Sequence, residues 1–462
     1  MGLAAGCSMA PEYIRPKAPV PSSWPQGGPY QMAQQQEDTP SLDIKWQEFI
    51  TDHKLKEIIH MALANNRDLR ISALNVERAR ALYGIQRAEL FPSLHASATG
   101  SKQRIPADLS GAGKALTVEQ YSVSLGITSW EVDFFGRIRS LKDKALEDYL
   151  ATEQARKSVQ ILLISEVFNT YLAIAAIQDN LELARATLDV QEGVHLIISK
   201  RHQLGLASEL DLRRAQTQVE AARGDISRYT RELLQQQNSL NLLVGSQVPQ
   251  ELLPKGLAHV SPPRAISAGV SSEVLLSRPD ILAAEAQLRA ANASIGAARA
   301  SLFPRISLTT ALGSASAELT GLFKAGSGGW SYIPQLVMPI FDARLWSALE
   351  ASKVQKEIAL AQYEKAIQTA FREVADSLAQ GSTLREQLKA QQALVEATQR
   401  TYDLANLRYM QGLDSYLSVL DAQRSMYAAQ QGLVNLKLAL LANRVRLYAV
   451  LGGGGENEKP HS

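Results

Sequence analysis

The sequence predicts a mixed α and β membrane protein in which each chain supplies four amphipathic strands and long helices of the coiled-coil type. Three observations support this fold class. The chain contains two copies of one long unit, each copy contains a short region of two-residue alternation, and a very long helical pattern follows each such region. A duplication on this scale indicates that one supersecondary unit has been used twice.

The N-terminal segment resembles the end of a bacterial lipoprotein signal. Residues 3–8 read Leu-Ala-Ala-Gly-Cys-Ser, so that cleavage would leave Cys7 as an acylated N-terminus, for example with palmitate. Cys7 is the single cysteine of the chain, which excludes an intrachain disulfide. The alternative is a lone thiol in a leader. Residues 8–40 are rich in Pro, Gln, Ser and Gly and predict an extended surface strap.

An internal duplication organises the rest of the chain. The matched positions at an offset of 212 include Asp68, Gly84, Phe91 and Pro92 with Asp280, Gly296, Phe303 and Pro304; those at an offset of 207 include Gly205, Leu206, Ser208 and Leu210 with Gly412, Leu413, Ser415 and Leu417. The predicted segments are a leader and strap (1–50), a first repeat (51–245), an equatorial linker (246–277), a second repeat (278–452) and a flexible tail (453–462).

Each repeat contains a predicted β-hairpin after its Phe-Pro dipeptide. Proline disfavours helical geometry in the residue before it, so a helix ends at each dipeptide. Apolar and small polar residues then alternate with a period of two, which is typical of strands. The alternating residues are Tyr121, Val123, Leu125 and Ile127 against Ser122, Ser124, Gly126 and Thr128, and later Ile306, Leu308 and Leu312 against Ser307 and Thr309. Gly- and Ser-rich loops are predicted at about 100–118 and 313–329.

A long helical pattern runs from about Arg137 to Lys200, a length of roughly 90 Å if fully helical. Apolar residues recur in it at spacings of four and three, as in a coiled-coil seam. The seam consists of Leu163, Val167, Thr170, Ile174, Ile177, Leu181, Ala184 and Leu188. Gly205 and Gly412 are predicted to interrupt helices, and Ser208 and Ser415 to cap the helices that return.

The predicted strands require more than one chain. Four strands cannot close a barrel, and an open sheet edge in lipid leaves backbone groups unsatisfied at a cost of several kcal/mol each. Three chains would supply twelve strands around a lumen, whereas side chains would nearly fill an eight-stranded barrel. The alternative, a soluble β-sandwich, fits poorly with the neighbouring long helices. No membrane-spanning helix is expected, because no run of roughly 18 apolar residues is evident.

These features together resemble the TolC/OprM outer-membrane efflux family. The resemblance also rests on Pro339-Ile340-Phe341-Asp342, Leu204-Gly205-Leu206 and Tyr409-Met410-Gln411-Gly412-Leu413, and it covers essentially the whole chain. It implies a homotrimer with a twelve-stranded barrel in the outer membrane, continued by a twelve-helix tunnel through the periplasm. It also implies a passive, gated exit duct of a tripartite multidrug efflux pump, served by a periplasmic adaptor and an inner-membrane transporter of the RND type.

The resemblance further implies roles for residues near the second turn. Leu417 and Asp421 would narrow the closed end of the tunnel, while Tyr409 and Arg424 would hold the tip helices. Ser418 stands where TolC has a second acidic residue, so a double acidic ring is not implied. A polar stripe, consisting of Asp414, Ser418, Asp421 and Ser425, supports a gate on this helix. The alternative, an acidic residue favoured by the helix dipole, explains Asp421 alone.

The two turns are also predicted to contact the adaptor. Gly205 and Gly412 permit close approach of helices, and the following Leu206 and Leu413, exposed at a turn, could anchor an apolar contact. The alternative is simple helix termination, which requires glycine but no partner.

Other classes of function are poorly supported by the sequence. Gly111 to Lys114 lacks the spacing of a phosphate-binding loop, and His195 and His202 lack a third metal ligand, so we expect no enzyme activity, cofactor or metal. The 48 basic and 46 acidic residues are interspersed, which argues against nucleic acid as a partner. The competing hypothesis is a soluble periplasmic coiled-coil adaptor or scaffold.

Overall fold

The structure is a computed structural model, and it describes residues 8–25, 27, 44–111, 113–266 and 271–453. The predicted lipidation site Cys7 lies outside these residues. The helices are α1 (Trp46–Phe49), α2 (His53–Asn65), α3 (Arg67–Ala88), α4 (Arg137–Gln203), α5 (Glu209–Val244), α6 (Pro279–Ala300), α7 (Ala343–Met410) and α8 (Tyr416–Val450). The strands are β1 (Leu94–Ile105), β2 (Leu116–Val132), β3 (Arg305–Ser316) and β4 (Gly328–Val337).

The chain forms two compact units, each assembled from three segments. The first unit consists of Met1–Lys17, Asn75–Glu153 and Ala283–Tyr363; the second consists of Ala18–Leu74, Gln154–Leu282 and Glu364–Ser462. Both repeats contribute to both units. The sequence-based segments describe the duplication rather than compactness, and that division stays a prediction.

The first unit contains one antiparallel sheet with the strand order β1-β2-β3-β4. The two predicted hairpins are therefore joined edge to edge, since β2 of the first repeat pairs with β3 of the second. The connections between hairpin strands are shorter than predicted, at 106–115 and 317–327. The reason is that the Ser-, Thr- and Gly-rich residues assigned to loops pair as strand: Gly100 lies opposite Tyr121, and Arg104 lies opposite Thr117.

The sheet has one apolar and one polar face, as the alternation predicts. Leu125 lies opposite Leu312, which lies opposite Trp330, and these side chains are 49%, 68% and 80% exposed in the single chain. On the other face the hydroxyls of Ser97 and Ser124 lie 2.9 Å apart. A monomer that exposes so many large apolar side chains has a face that requires an apolar partner.

A β-bulge, which the sequence analysis did not predict, interrupts the alternation of β2. Ile127 lies opposite Thr310 and Trp130 lies opposite Leu308, so two residues of β2 face the single residue Thr309. Ser129 adopts a φ of 51°, and its N–H donates to Thr309 Oγ1 at 3.1 Å. The bulge returns Trp130 to the apolar face, which strict two-residue counting from Ile127 would not do.

Gly126 and Gly313 lie where β2 and β3 approach closely. A Cβ atom on Gly313 would overlap the carbonyl oxygen of Val123 and lie 2.7 Å from the Cα of Ser124. Gly329, directly opposite Gly313 on β4, has open space at the Cβ position. Glycine at such positions permits tight curvature of a sheet.

We expect Gly313→Ala to lower the free energy of unfolding by about 1–3 kcal/mol, because the added methyl group meets backbone atoms that must shift. Urea unfolding in detergent, followed by tryptophan fluorescence, measures this change. Gly329→Ala is the matched control and should stay within about 0.5 kcal/mol of wild type. Equal stability of the two variants would contradict the steric argument.

The second unit is largely helical, and its core follows the predicted seam. Of the seam residues, Thr170, Ile177 and Leu188 are half-buried, and the others are buried: Leu163, Val167, Ile174, Leu181 and Ala184. The described part of the strap is not helical, as predicted, and its Trp24 is buried against Phe371 with ring centroids 5.1 Å apart. Gly453, expected in a flexible tail, is instead buried, with its carbonyl accepting from the Tyr448 hydroxyl.

Helix α4 corrects the expectation that no helix could span a membrane. By length and composition alone, α4 contains an 18-residue window apolar enough to do so. A single helix of this kind is weak support for a membrane span, because 56% of the window is buried inside the chain. The buried seam side chains, such as Val167 and Ile174, account for this apolar character through packing.

Candidate functional site

We define the tip as residues 198–216 and 402–425 of the second unit, which contain both predicted turns. Gly205 and Gly412 have φ of 73° and 75°, a conformation that glycine adopts without strain. The N–H of Gly205 donates to His202 O at 2.9 Å, and the N–H of Leu206 donates to Arg201 O at 2.8 Å. The same pair of bonds joins Gly412 to Tyr409 O and Leu413 to Arg408 O, both at 2.9 Å. Both turns are therefore Schellman motifs.

The two predicted helix caps differ. Ser208 Oγ accepts from the N–H of Asp211 at 3.1 Å, which confirms Ser208 as the N-cap of α5. Ser415 occupies the equivalent position before α8 with the same backbone angles, but its side chain makes no capping hydrogen bond. Ser415 is thus the N-cap residue of α8, as predicted, but without a side-chain bond, because sequence spacing fixes the position of a residue and not its rotamer.

We expect Ser208→Ala to weaken the first turn of α5 by about 1 kcal/mol, because it removes the acceptor for the Asp211 N–H. Hydrogen–deuterium exchange of amides 209–212 reports this as faster local opening. Ser415→Ala is the matched variant in the second repeat and should leave the first turn of α8 almost unchanged. Equal acceleration at both turns would contradict this difference.

A small apolar core lies beneath the turns. Its buried members are Ile198, Ala215, Tyr416, Val419 and Leu420. The rings of Tyr409 and Tyr416 lie 5.4 Å apart at an interplanar angle of 52°. Burial raises the pKa of the Tyr416 hydroxyl well above its usual range, so this group stays neutral. Apolar packing thus joins the ends of all four long helices at the tip.

Two arginines add polar contacts around this core. Arg201 donates to the Tyr409 hydroxyl at 3.3 Å, and its guanidinium lies 5.6 Å from the ring centroid. Arg408 makes two bonds to Asp414, at 2.6 Å and 3.1 Å, across the Gly412 turn. The bond from Arg408 lowers the pKa of the Asp414 carboxyl. Solvent screens this exposed pair, so its main effect is to fix geometry rather than to add stability.

The predicted gate residues separate into two groups. Tyr409 belongs to the cluster with Arg201 and Tyr416, whereas Asp421 faces Arg424 in a loose ion pair of 3.9 Å. The side chains of Asp421 and Arg424 are 65% and 71% exposed, and Leu417 is 43% exposed. Residues Ser418 and Ser425 of the predicted polar stripe are also exposed on α8. These three members of the stripe, Ser418, Asp421 and Ser425, therefore form a surface that the chain itself leaves open, whereas Asp414 precedes α8 and is bonded to Arg408.

Sequence reasoning missed the contacts of Arg201 and Arg408. A signal was available, because the two arginines are separated by 207 residues and so occupy equivalent positions in the two repeats. The predicted adaptor residues Leu206 and Leu413 are 67% and 63% exposed. In the described ranges, no group of three His, Cys, Asp or Glu side chains is placed to hold a metal ion.

Comparisons with known proteins agree with this architecture. The profile of the family described as outer membrane efflux protein matches residues 58–246 and 270–453. The antibiotic efflux pump outer membrane protein ArpC of Pseudomonas putida is 46% identical over 453 residues, covering 98% of this chain and 93% of the relative. The solvent efflux pump outer membrane protein SrpC of Pseudomonas putida is 48% identical, covering 98% of this chain and 96% of the relative.

Among solved structures, the open state of the MtrE outer membrane channel of Neisseria gonorrhoeae is similar to this chain. Its TM-score is 0.85 at 34% sequence identity, with 97% of this chain and 98% of that one covered. Family profile, relatives and fold agree over nearly the full length. The chain belongs to the outer membrane efflux protein family.

Proposed function

We propose that this chain forms the outer-membrane exit duct of a tripartite efflux pump. The duct is passive and gated, and it receives compounds from an inner-membrane transporter of the RND type through a periplasmic adaptor. The observation that carries the proposal is the four-stranded sheet, which has an exposed apolar face. Its edge strands, β1 and β4, each have no neighbour on the outer side in the described part of the chain. Such a sheet is stable in a membrane only when further strands close it.

Three copies are the assembly that fits this sheet. Three sets of four strands give a twelve-stranded barrel wide enough for a lumen. Helix α3 supports self-association, because none of its residues is buried within the chain. It exposes an apolar stripe at helical spacing, formed by Ile71, Leu74, Leu82 and Ile85. A stripe of this kind is typical of a helix that packs against a partner.

The exported compounds are proposed from the names of the relatives. ArpC is named for antibiotics and SrpC for solvents. Antibiotics and solvents are both small molecules. The polar face of the sheet, with its serine and threonine hydroxyls, suits a water-filled duct that does not retain apolar compounds. Selection among compounds then belongs to the transporter and not to this chain.

The outer membrane is the location expected of the family, and lipidation of Cys7 is a further proposal. The described strap is already fixed to α6: Asn292 donates to the carbonyl of Pro11 at 2.7 Å, and Arg15 pairs with Glu285 at 2.7 Å. An acyl chain, at about 0.8 kcal/mol per buried CH₂, would add a tether to a chain that its strands already hold in the membrane.

We expect mass spectrometry of the protein, expressed with a complete lipoprotein signal, to show acylated Cys7 as the N-terminal residue. Cys7→Ser should lose the lipid but still reach the outer membrane as assembled trimers. An unmodified Cys7 in the wild-type protein would contradict the lipidation proposal and leave the channel proposal intact.

Reconstitution tests the function itself. We expect purified protein to require detergent, to run as a heat-sensitive trimer, and to give discrete conductance steps in planar bilayers. Protein that is soluble without detergent and gives no conductance would instead favour the competing hypothesis, a periplasmic adaptor or scaffold. The exposed apolar face of the sheet argues against that alternative.

A further inference from the structure

A pocket lies between α7 and α8 in the second unit, far along both helices from the tip residues. Linker residues Ala265 and Ile266 form one wall. The pocket is small enough that only a compact ligand fits, and its polar lining consists of Ser377, Ser382, Arg385, Asn443 and Arg444. Nothing in the proposed channel mechanism uses these groups.

Asn443 is a buried polar side chain with one half of its amide unsatisfied. It is 6% exposed, and its Nδ2 donates to the carbonyl of Ser377 at 3.0 Å. Because a carbonyl accepts only from the NH₂ group, this bond fixes the orientation of the amide. Asn443 Oδ1 is then left buried without a hydrogen-bond donor among the described groups. A buried acceptor of this kind calls for a donor.

Gly381 keeps the pocket open beside Asn443. A Cβ atom at position 381 would lie 2.9 Å from Asn443 Nδ2, which is closer than side-chain atoms normally approach. The neighbouring Ser382 is 5% exposed, and its hydroxyl donates to the carbonyl of Ala379 at 3.1 Å. The residues that line this side of the pocket are therefore small and held in place.

Two arginines supply positive charge to the same pocket. Arg385 and Arg444 both line it, and both are half-buried. Burial, and then the positive charge of Arg385, lowers the pKa of Arg444. Within the described part of the chain, no carboxylate forms an ion pair with Arg444. Two partly desolvated guanidinium groups of the same sign favour the binding of an anion.

We propose that this pocket binds a hydrogen phosphate group, held by the Arg385 and Arg444 guanidiniums, with its P–OH donating to Asn443 Oδ1. A singly protonated phosphate meets both requirements, because it offers charged acceptors to the arginines and one O–H donor to the amide. Sulfate and ordinary carboxylates lack that donor at neutral pH. A phosphate monoester has a second pKa of about 6, so at neutral pH it is mostly fully ionised and lacks that donor too. Inorganic phosphate is therefore the ligand that fits this pocket.

Isothermal titration of the full-length assembled protein, exchanged into chloride buffer, tests the proposal with inorganic phosphate as the probe. We expect saturable binding of phosphate and at least tenfold weaker binding of sulfate. Arg444→Gln should weaken phosphate binding at least tenfold. Arg446→Gln removes an exposed arginine from the same helix and should leave the affinity within twofold.

A second variant keeps the test decisive if Arg444→Gln fails to assemble. Ser382→Asp places a carboxylate in the pocket without removing a cation, and it should abolish phosphate binding. Glucose 1-phosphate, which is larger and mostly lacks the P–OH donor at neutral pH, should bind more weakly than inorganic phosphate, and tighter binding would contradict the role of the P–OH group. Absence of saturable phosphate binding, equal binding of sulfate, or unchanged affinity in Ser382→Asp would overturn the proposal.

Discussion

Leu417→Ala combined with Asp421→Ala is expected to raise the single-channel conductance of assembled trimers several-fold and to make cells sensitive to vancomycin. Both side chains are exposed on α8, so their removal leaves the buried core of the tip unchanged. In the proposed trimer, threefold symmetry would bring three leucines and three carboxylates together at the closed end. Shortening both side chains would widen that constriction. The constriction must stay closed at rest, because an open pore would breach the permeability barrier of the outer membrane.

The duplication provides a matched control for this variant. Leu210 and Arg214 lie 207 residues before Leu417 and Asp421, and Leu210 is likewise exposed. Leu210→Ala with Arg214→Ala should leave conductance unchanged, because these positions belong to the other turn. Bilayer recordings on trimers checked by electrophoretic mobility give the comparison. Unchanged conductance in the Leu417 and Asp421 variant would place the gate elsewhere.

The ion pair between Asp421 and Arg424 is expected to contribute little to closing the tip. At 3.9 Å, with both side chains mostly exposed, it is a surface contact that water and salt screen. The firmer contacts of the tip are the two-point bond from Arg408 to Asp414 and the Arg201 contact with Tyr409. Opening of the tip should therefore depend on the core around Tyr416 more than on Arg424.

Much of the fold could be predicted because its determinants are local and repeated. The first long helix was expected from Arg137 to about Lys200 and ends at Gln203. It contains no proline, and its one glycine, Gly193, does not end it before the left-handed Gly205. The hairpin loops were placed too widely, because the second half of β1, residues 100–105 (Gly-Ser-Lys-Gln-Arg-Ile), has the polar composition of a loop. Only pairing with β2 gives those residues a strand, and pairing is not a property of one segment.

The candidate site divides in the same way. The Gly-Leu turns were predictable because a helix that ends in a left-handed residue strongly favours glycine. The duplication identifies Arg201 and Arg408 as equivalent positions, but it does not indicate that Arg201 contacts Tyr409. The bulge at Ser129 was also unpredictable, because it depends on the register between β2 and β3. Local conformational preferences could be predicted from the sequence, whereas contacts between distant segments could not.

Leu206→Asp combined with Leu413→Asp is expected to abolish pump-dependent drug resistance while trimers remain intact. A hydrophobic contact between C″ and C3 often accompanies a Schellman motif, but here the C3 residues are Arg201 and Arg408. The leucines are 67% and 63% exposed, so the fold of the chain does not explain them. As anchors of an adaptor contact, each would contribute about 2 kcal/mol, and the loss of one would weaken binding roughly thirtyfold.

Conservative variants separate this contact from simple helix termination. Leu206→Met with Leu413→Met keeps an apolar surface and should retain resistance, while Gly412→Asn, which tolerates a φ near 75°, should keep the turn. If the turns serve only to end helices, the aspartate variant would behave like the methionine variant, because neither changes a glycine. Drug susceptibility of a strain that relies on this pump, together with trimer mobility, decides between the two. Full resistance in the aspartate variant would remove both leucines from the adaptor interface and leave Gly205 and Gly412 as structural residues alone.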